Sequence, residues 1–261
     1  MVADFGYKHI TGVIWLGALM ATALVVLLTV RKKRGLGERF DKAVLRYTWL
    51  FMVAWEIVKT VRLINYEDYG PVGHYPLWMA PFHLCSMAFY VYPILFSEKK
   101  SRFEDGIKAY AYAVMMIGAL ISLVMPGAAG LLGSVDNWSL CFDNILPYQT
   151  WLYHGSLLFL SLYMVLSGYY APRFRDIYKG TAVLAVTAVF AQTLNYVFEG
   201  SNADYMTLRY GNGNPFAFLL HGEAPMLYYV VVAAIAIGGM AVILSATIGL
   251  KALVRKGGEV K

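Results

Sequence analysis

The sequence predicts an all-α, polytopic membrane protein in which seven transmembrane helices form one bundle. Of its 261 residues, 59% are hydrophobic and only 15% are charged, whereas ordinary soluble domains are about a quarter charged. The mean hydropathy is +0.55. The apolar residues fall into seven stretches, and the basic residues gather in alternate connections between them. So much hydrocarbon must face lipid, which excludes a soluble enzyme and a disordered chain.

The seven apolar stretches approach the roughly 20 residues that a helix needs to cross the bilayer. They make residues 1–261 a single transmembrane domain. The first stretch lacks a small-residue cleavage site, so we expect it to be retained as a span. The first and last stretches contain no charged residue, whereas the second contains Glu56, Lys59 and Arg62. The predicted spans are 10–30, 43–64, 76–96, 108–125, 147–168, 180–198 and 224–250.

The basic residues predict the orientation of the bundle. Connections after the first, third, fifth and seventh spans hold 17 of the 22 basic residues, and the opposite side holds only Lys8 and Arg209. The positive-inside rule then places the N-terminus outside and the C-terminus in the cytoplasm. The net charge of +6 is thereby explained by topology and by contact with anionic lipid, and we expect no nucleic-acid partner.

Polar residues of several spans share one depth in the outer half of the bilayer. At roughly 1.5 Å per helical residue, Glu56, Cys85 and His154 lie about 12, 13 and 10 Å from the outer ends of their spans. Ionisable groups inside a membrane are costly and usually functional, so this layer predicts a cavity that opens outward. The other polar residues of the layer or its mouth are His83, Gln192, Asn195, His221 and Glu223.

Cys85 and His154 are the candidate catalytic residues. An imidazole that takes the thiol proton allows the thiolate to attack an acyl carbonyl. A cysteine in a span is more often a small apolar residue, and only the histidine at matched depth favours the catalytic interpretation. Cys141, in an outer loop, is interpreted as structural.

The remaining polar residues of the layer are interpreted as substrate contacts. Glu56, Lys59 and Arg62 are spaced by three residues and form one stripe on a helix. They are either a structural ion pair with a snorkelling arginine or a phosphate site held in place by the glutamate. Asn195 or Gln192 is expected to donate to an oxyanion.

Two other classes of function stay open on the residues alone. His83, His154 and His221 form a candidate catalytic zinc site of a lipid hydrolase, although no paired histidine motif supports it. A carrier or receptor for a small polar ligand is the other alternative, although the inner halves of the spans offer few polar groups for a path. Two cysteines give no disulfide framework, and we expect no cofactor.

Several short motifs occur in an order that resembles a known family. They are Pro-Phe-His-Leu-Cys-Ser at 81–86, Tyr-Pro at 92–93, His-Gly at 154–155, Glu-Gly-Ser-Asn at 199–202, Asp-Tyr-Met at 204–206, Asn-Pro-Phe at 214–216, Leu-Leu-His-Gly-Glu-Ala-Pro at 219–225 and Tyr-Tyr at 228–229. Over roughly residues 45 to 245, this pattern resembles the bacterial YwaF-like integral membrane proteins. Their vertebrate relatives include an acyltransferase that remodels ether phospholipids.

The resemblance implies a seven-helix lipid acyltransferase. Such an enzyme takes an acyl chain from a phospholipid, holds it on a cysteine and passes it to a lysophospholipid. Cys85 matches the motif cysteine and His154 the histidine of the later span. The expected partners are therefore phospholipid and lysophospholipid, and the expected location is a bacterial plasma membrane.

Overall fold

The computed structural model describes residues 7–65, 73–99, 101–124, 146–201, 203–209, 216–222 and 224–259. These parts of the chain are helical, with extended or turn segments between the helices. The α-helices are α1 Tyr7–Lys33, α2 Glu38–Asn65, α3 Ala88–Phe96, α4 Glu104–Ala109, α5 Met115–Val124, α6 Leu146–Leu166, α7 Asp176–Val197, α8 Ala217–His221 and α9 Pro225–Glu259. Short 3₁₀ turns cover Leu77–Met79, Cys85–Met87 and Tyr205–Thr207, and a π-helix covers Tyr110–Val114.

Within the described ranges, four helical stretches are long and apolar enough to cross a membrane. They are Gly12–Lys33, Glu104–Val124, Asp176–Val197 and Pro225–Leu253. Three of the seven predicted spans fall outside this set: the charged α2, the short α3 and α6. The all-α, membrane-spanning class is thus confirmed, and the number of seven spans stays a prediction.

The third predicted span differs most from the structure. Instead of one helix over 76–96, the chain has a short 3₁₀ turn over Leu77–Met79, is irregular from there to Cys85, and is continuously helical only over Cys85–Phe96. Ala80 has an extended backbone, with ψ at 149°, because the residue before a proline is disfavoured in the α region. Pro81 therefore delays the helix. The depth of Cys85 that follows from a continuous helical rise does not apply to this segment.

The helical stretch Glu104–Val124 is the centre of the bundle. Most of it is buried, whereas α1, α7 and α9 expose most of their apolar surface. Its π-helix bonds to the surrounding helices: Ser161 Oγ of α6 donates to Ala111 O, Thr187 of α7 bonds to Tyr110 and Thr247 of α9 to Tyr112. Widened π turns often occur at functional positions, and here the turn connects three neighbouring helices.

Glycines let α1 approach α6 closely. A β-carbon at Gly155 would lie 2.9 Å from the Leu16 side chain, and one at Gly12 would overlap the Trp151 indole. Small residues allow such close backbone approach in membrane bundles. Gly155 follows His154 directly, so this packing fixes the helix turn that carries the histidine.

A buried ion pair joins α1, α2 and α6 near the C-terminal end of α1. Arg31 donates to both carboxylate oxygens of Asp41, from Nε at 2.7 Å and from Nη2 at 2.9 Å. Tyr163 Oη donates to Asp41 Oδ1 at 2.8 Å. Asp41 is only 1% exposed. A buried pair of this kind costs about 3–5 kcal/mol to break from one side, so it holds α6 against α2 in a fixed register.

Candidate functional site

Cys85 is the first residue of a helical segment that begins inside the bundle. The segment runs over Cys85–Phe96, and Cys85 as a whole residue is half-buried. Gly118 of α5 lies close to Cys85, since a β-carbon added to this glycine would be 3.7 Å from Cys85 Cβ. The positive end of a helix dipole stabilises negative charge, and cysteines at helix N-termini are often reactive for this reason. Burial of the Cys85 side chain disfavours the thiolate and so opposes the effect of the helix dipole.

A buried ion pair on α2 lies beside this thiol. Lys59 Nζ is 2.6 Å from Glu56 Oε1 and donates to Met79 O at 3.3 Å. The Lys59 side chain is 6% exposed. Lys59 lies close enough to Cys85 and His154 for its charge to act on both. The two α2 residues thus interact as a pair, and Met79 accepts a further bond from Tyr75 Oη at 2.9 Å.

The first turns of α6 complete the polar cluster. Gln149 Nε2 lies 3.5 Å from Glu56 Oε2 and donates to it. Four residues later on the same face, Tyr153 Oη donates to the backbone carbonyl of Cys85 at 3.2 Å. The α6 residue that contacts the Cys85 backbone is therefore Tyr153, the neighbour of His154. Sequence reasoning missed both Gln149 and Tyr153, although their i, i+4 spacing places them on one helix face.

The His154 ring has a defined hydrogen-bond arrangement. Its Nδ1 lies 2.7 Å from Thr150 O, and because a carbonyl only accepts, Nδ1 carries the donated proton. In the neutral ring, Nε2 therefore holds the lone pair. Nε2 is buried and has no hydrogen-bond partner among the described residues. This is the state that a general base needs, and it also means that His154 and Cys85 do not hydrogen-bond to each other here.

Two further buried oxygens of α6 stand beside the histidine. Gln149 Oε1 and Thr150 Oγ1 have no hydrogen-bond partner within the described part of the chain. Unpaired buried polar atoms are costly and are usually explained by water, an ion or a ligand. The cluster therefore has the capacity to bind a polar group at this level of the bundle.

The segment around Tyr205 lies against the irregular part of 77–87. The Tyr205 ring meets His83 at 5.4 Å and Phe82 at 5.3 Å between centroids. Burial raises the pKa of Tyr205 to about 12, and its hydroxyl donates to Leu77 O. His83 is thus packed against the segment around Tyr205.

Asn195 and Gln192 hold the same segment from α7. Asn195 Oδ1 accepts from Tyr205 N at 2.7 Å, while Nδ2 donates to Tyr205 O at 3.1 Å and to Gln192 Oε1 at 3.2 Å. Both amide protons of Asn195 are thereby engaged. In this structure Asn195 anchors the Tyr205 segment, and donation to an oxyanion would require these bonds to break.

The other predicted site residues are covered only in part. Arg62 is half-buried near the C-terminal end of α2. The side chain of His221 and the whole of Glu223 lie outside the described residues, as does Cys141. Among the side chains that the structure describes, no group of three or more His, Cys, Asp or Glu residues is placed to hold a metal ion. The alternative zinc site of His83, His154 and His221 includes a side chain outside the described residues, so the zinc hydrolase alternative stays a prediction.

Comparison with known proteins gives one match. The sequence model described as the TMEM164 family matches residues 5–244. The search of curated proteins and the search of solved structures found no match. The YwaF-like resemblance and the acyltransferase activity stay predictions. Because the family match covers nearly the whole chain and four helices are long and apolar enough to span a bilayer, the protein belongs to the TMEM164 family and is an integral, multi-pass membrane protein.

Proposed function

We propose that this protein is a membrane-embedded lipid acyltransferase that carries the acyl chain as a thioester on Cys85. The observation that carries the proposal is the start of a helix at Cys85, inside the bundle and beside the Glu56–Lys59 pair. The helix N-terminus and the Lys59 ammonium group favour a thiolate, whereas burial and the Glu56 carboxylate oppose it. The unpaired Nε2 of His154 supplies the base.

The first half-reaction transfers the acyl group to the enzyme. Nε2 of His154 takes the thiol proton, and Sγ of Cys85 attacks the ester carbonyl of a phospholipid. As the tetrahedral intermediate collapses, the carbon–oxygen bond breaks. The leaving oxygen takes the proton from His154 and departs as the hydroxyl of a lysophospholipid. The thiol and imidazole are not hydrogen-bonded in the structure, so the proton moves after a rotation of the Cys85 side chain or through one water.

The second half-reaction reverses these steps with another lysophospholipid. Its hydroxyl gives a proton to His154 Nε2, and the oxygen attacks the thioester. The carbon–sulfur bond breaks, and the thiolate recovers its proton from the imidazolium. No net oxidation occurs and no metal is needed, so the chain's own residues account for the whole cycle.

We further propose that seven spans cross the bilayer with the N-terminus outside. The segments are α1, α2, the region from Leu77 to the end of α3, the stretch from α4 to α5, α6, α7 and α9. The concentration of 17 of 22 basic residues in alternate connections supports this orientation. The polar cluster then faces the outer leaflet.

Labelling of single cysteines tests the topology. In a background in which Cys85 and Cys141 are replaced, a cysteine at Gly213 is expected to react with a membrane-impermeant maleimide on intact cells. A cysteine at Lys100 is expected to react only after the membrane is opened. The reverse pattern would contradict both the orientation and the outer-leaflet site.

Arg62 is the proposed contact for the lipid phosphate. Lys59 is paired with Glu56 and donates to Met79 O. Arg62 lies half-buried one turn nearer the C-terminal end of α2, which is the outer end of this helix in the proposed topology. Arg62→Ala is expected to weaken the binding of a phospholipid roughly tenfold to a hundredfold, as loss of a charge-assisted hydrogen bond does. Lipid titration of the purified protein measures this.

Arg209 offers a matched control for Arg62. It also lies on the outer side, where it bonds Glu199 and the carbonyl of Asn195. Arg209→Ala is expected to lower thermal stability while it leaves lipid affinity within about twofold. If Arg62→Ala lowers the melting temperature equally with and without lipid and leaves affinity unchanged, Arg62 is structural.

A further inference from the structure

Tyr153 touches both members of the proposed catalytic pair. Its hydroxyl donates to the carbonyl of Cys85 at 3.2 Å. Its ring stands edge-on to the His154 imidazole, with 5.3 Å between centroids, and tilts against Phe89 of α3 at 5.4 Å. One buried side chain therefore connects the turn that carries the thiol to the residue that carries the base.

The acceptor of this hydrogen bond lies in the first turn of the Cys85 helix. The carbonyl of Cys85 also accepts from Ala88 N–H, which is the bond that closes this turn. Ser86 is the next residue, and its Oγ lies 4.0 Å from Cys85 Sγ. Removal of the phenol hydroxyl therefore loosens the segment that orients the sulfur, while the aromatic packing stays.

We propose that Tyr153 is a positioning residue for Cys85: its bond to the Cys85 carbonyl fixes the helix start that presents the sulfur, and its ring holds His154 in place. This inference rests on the proposed role of Cys85 as nucleophile. Tyr153 touches the backbone of Cys85 and takes no proton itself. Its predicted effect is on the reactivity of the thiol, which a purely structural tyrosine would not change.

Tyr169 provides a close structural control. Tyr169 follows the C-terminal end of α6. Its hydroxyl also donates to a backbone carbonyl of α3, Leu95 O, at 2.6 Å. Tyr169 is buried as well, but it lies beyond α6 and far along α3 from Cys85. Tyr153→Phe and Tyr169→Phe therefore delete the same type of hydrogen bond, once at the thiol and once away from it.

The experiment measures alkylation of Cys85 by iodoacetamide in the full-length protein in lipid nanodiscs, with Cys141→Ser as background. Tyr153→Phe is expected to slow alkylation at neutral pH by about threefold to tenfold, the range for loss of one neutral hydrogen bond. Its pH profile is expected to move to higher pH. Tyr169→Phe is expected to stay within about twofold of the background. Equal alkylation rates and pH profiles in both variants would overturn the proposal.

Two further measurements separate the possible failures. If Tyr153→Phe does not fold, Phe89→Leu, which removes the ring that supports Tyr153, decides the matter: slowed alkylation supports the proposal and an unchanged rate overturns it. Acyl transfer is assayed separately with Cys85→Ala. If that variant stays active, the proposed function fails, whereas the alkylation comparison still reports on the position of Tyr153.

Discussion

Replacement of Cys85 by alanine is expected to abolish acyl transfer and to remove the acyl-enzyme, while the fold is kept. The proposed reaction has no other nucleophile at this site, so no residual thioester route exists. A β-carbon added to Gly118 would lie 3.7 Å from Cys85 Cβ, and alanine keeps this Cβ while it removes only the sulfur. Mass spectrometry of the intact protein, incubated with phospholipid, is expected to show an acyl adduct that hydroxylamine removes in the native protein and no adduct in Cys85→Ala.

Two other variants control this experiment. Cys141→Ser is expected to keep the adduct and the activity, since the proposed mechanism does not use that residue. Cys85→Ser is expected to keep stability but transfer acyl groups only weakly, because an alcohol is a poorer nucleophile than a thiolate. An active Cys85→Ala protein, or an adduct that persists in it, would contradict the covalent mechanism.

The sequence was sufficient to predict the class of fold, whereas the roles assigned to the site residues stay predictions. Its composition indicates an all-α membrane protein, because only lipid accommodates so many apolar side chains. It also indicates that polar groups on α2 and α6 belong together. The structure places Glu56 against Gln149 and brings Lys59 near Cys85 and His154, which is the convergence that ionisable residues inside spans require.

The start of the Cys85 helix was not predictable from hydropathy. Hydropathy depends on the side chains and not on the backbone conformation. An apolar stretch from 76 to 96 is therefore predicted as one span whether its helix is continuous or broken. Pro81 and the extended Ala80 mark the break. The consequence for chemistry is large, because a cysteine in mid-helix has its amide in the helix ladder, whereas a cysteine at a helix start lies at the positive end of the dipole.

The roles of Asn195 and Tyr153 depend on partners that are distant in sequence. Asn195 bonds the backbone of Tyr205, ten residues away across an irregular segment. Tyr153 bonds a carbonyl 68 residues away. Residue types do not show which backbone carbonyl a side chain will bond. The sequence therefore indicated an oxyanion donor at Asn195 and assigned no role to Tyr153.

His154→Ala is expected to slow acyl transfer on the order of a hundredfold or more, the usual cost of losing a general base. Both half-reactions use Nε2, so the formation of the thioester and its attack by a lysophospholipid are both expected to slow. Single-turnover kinetics separates the two steps: the adduct forms slowly from phospholipid, and adduct formed over a long incubation discharges slowly when lysophospholipid is added.

His154→Asn distinguishes the base from the structural hydrogen bond. An asparagine amide nitrogen is able to replace Nδ1 as the donor to Thr150 O, but it provides no basic nitrogen in place of Nε2. If His154 acts as a base, His154→Asn is as slow as His154→Ala, although its melting temperature stays closer to that of the native protein. Full activity in His154→Asn would assign the histidine to the Thr150 bond alone. The base would then have to come from another residue, and the unpaired Nε2 would be left to bind a hydroxyl or a water rather than to accept the thiol proton.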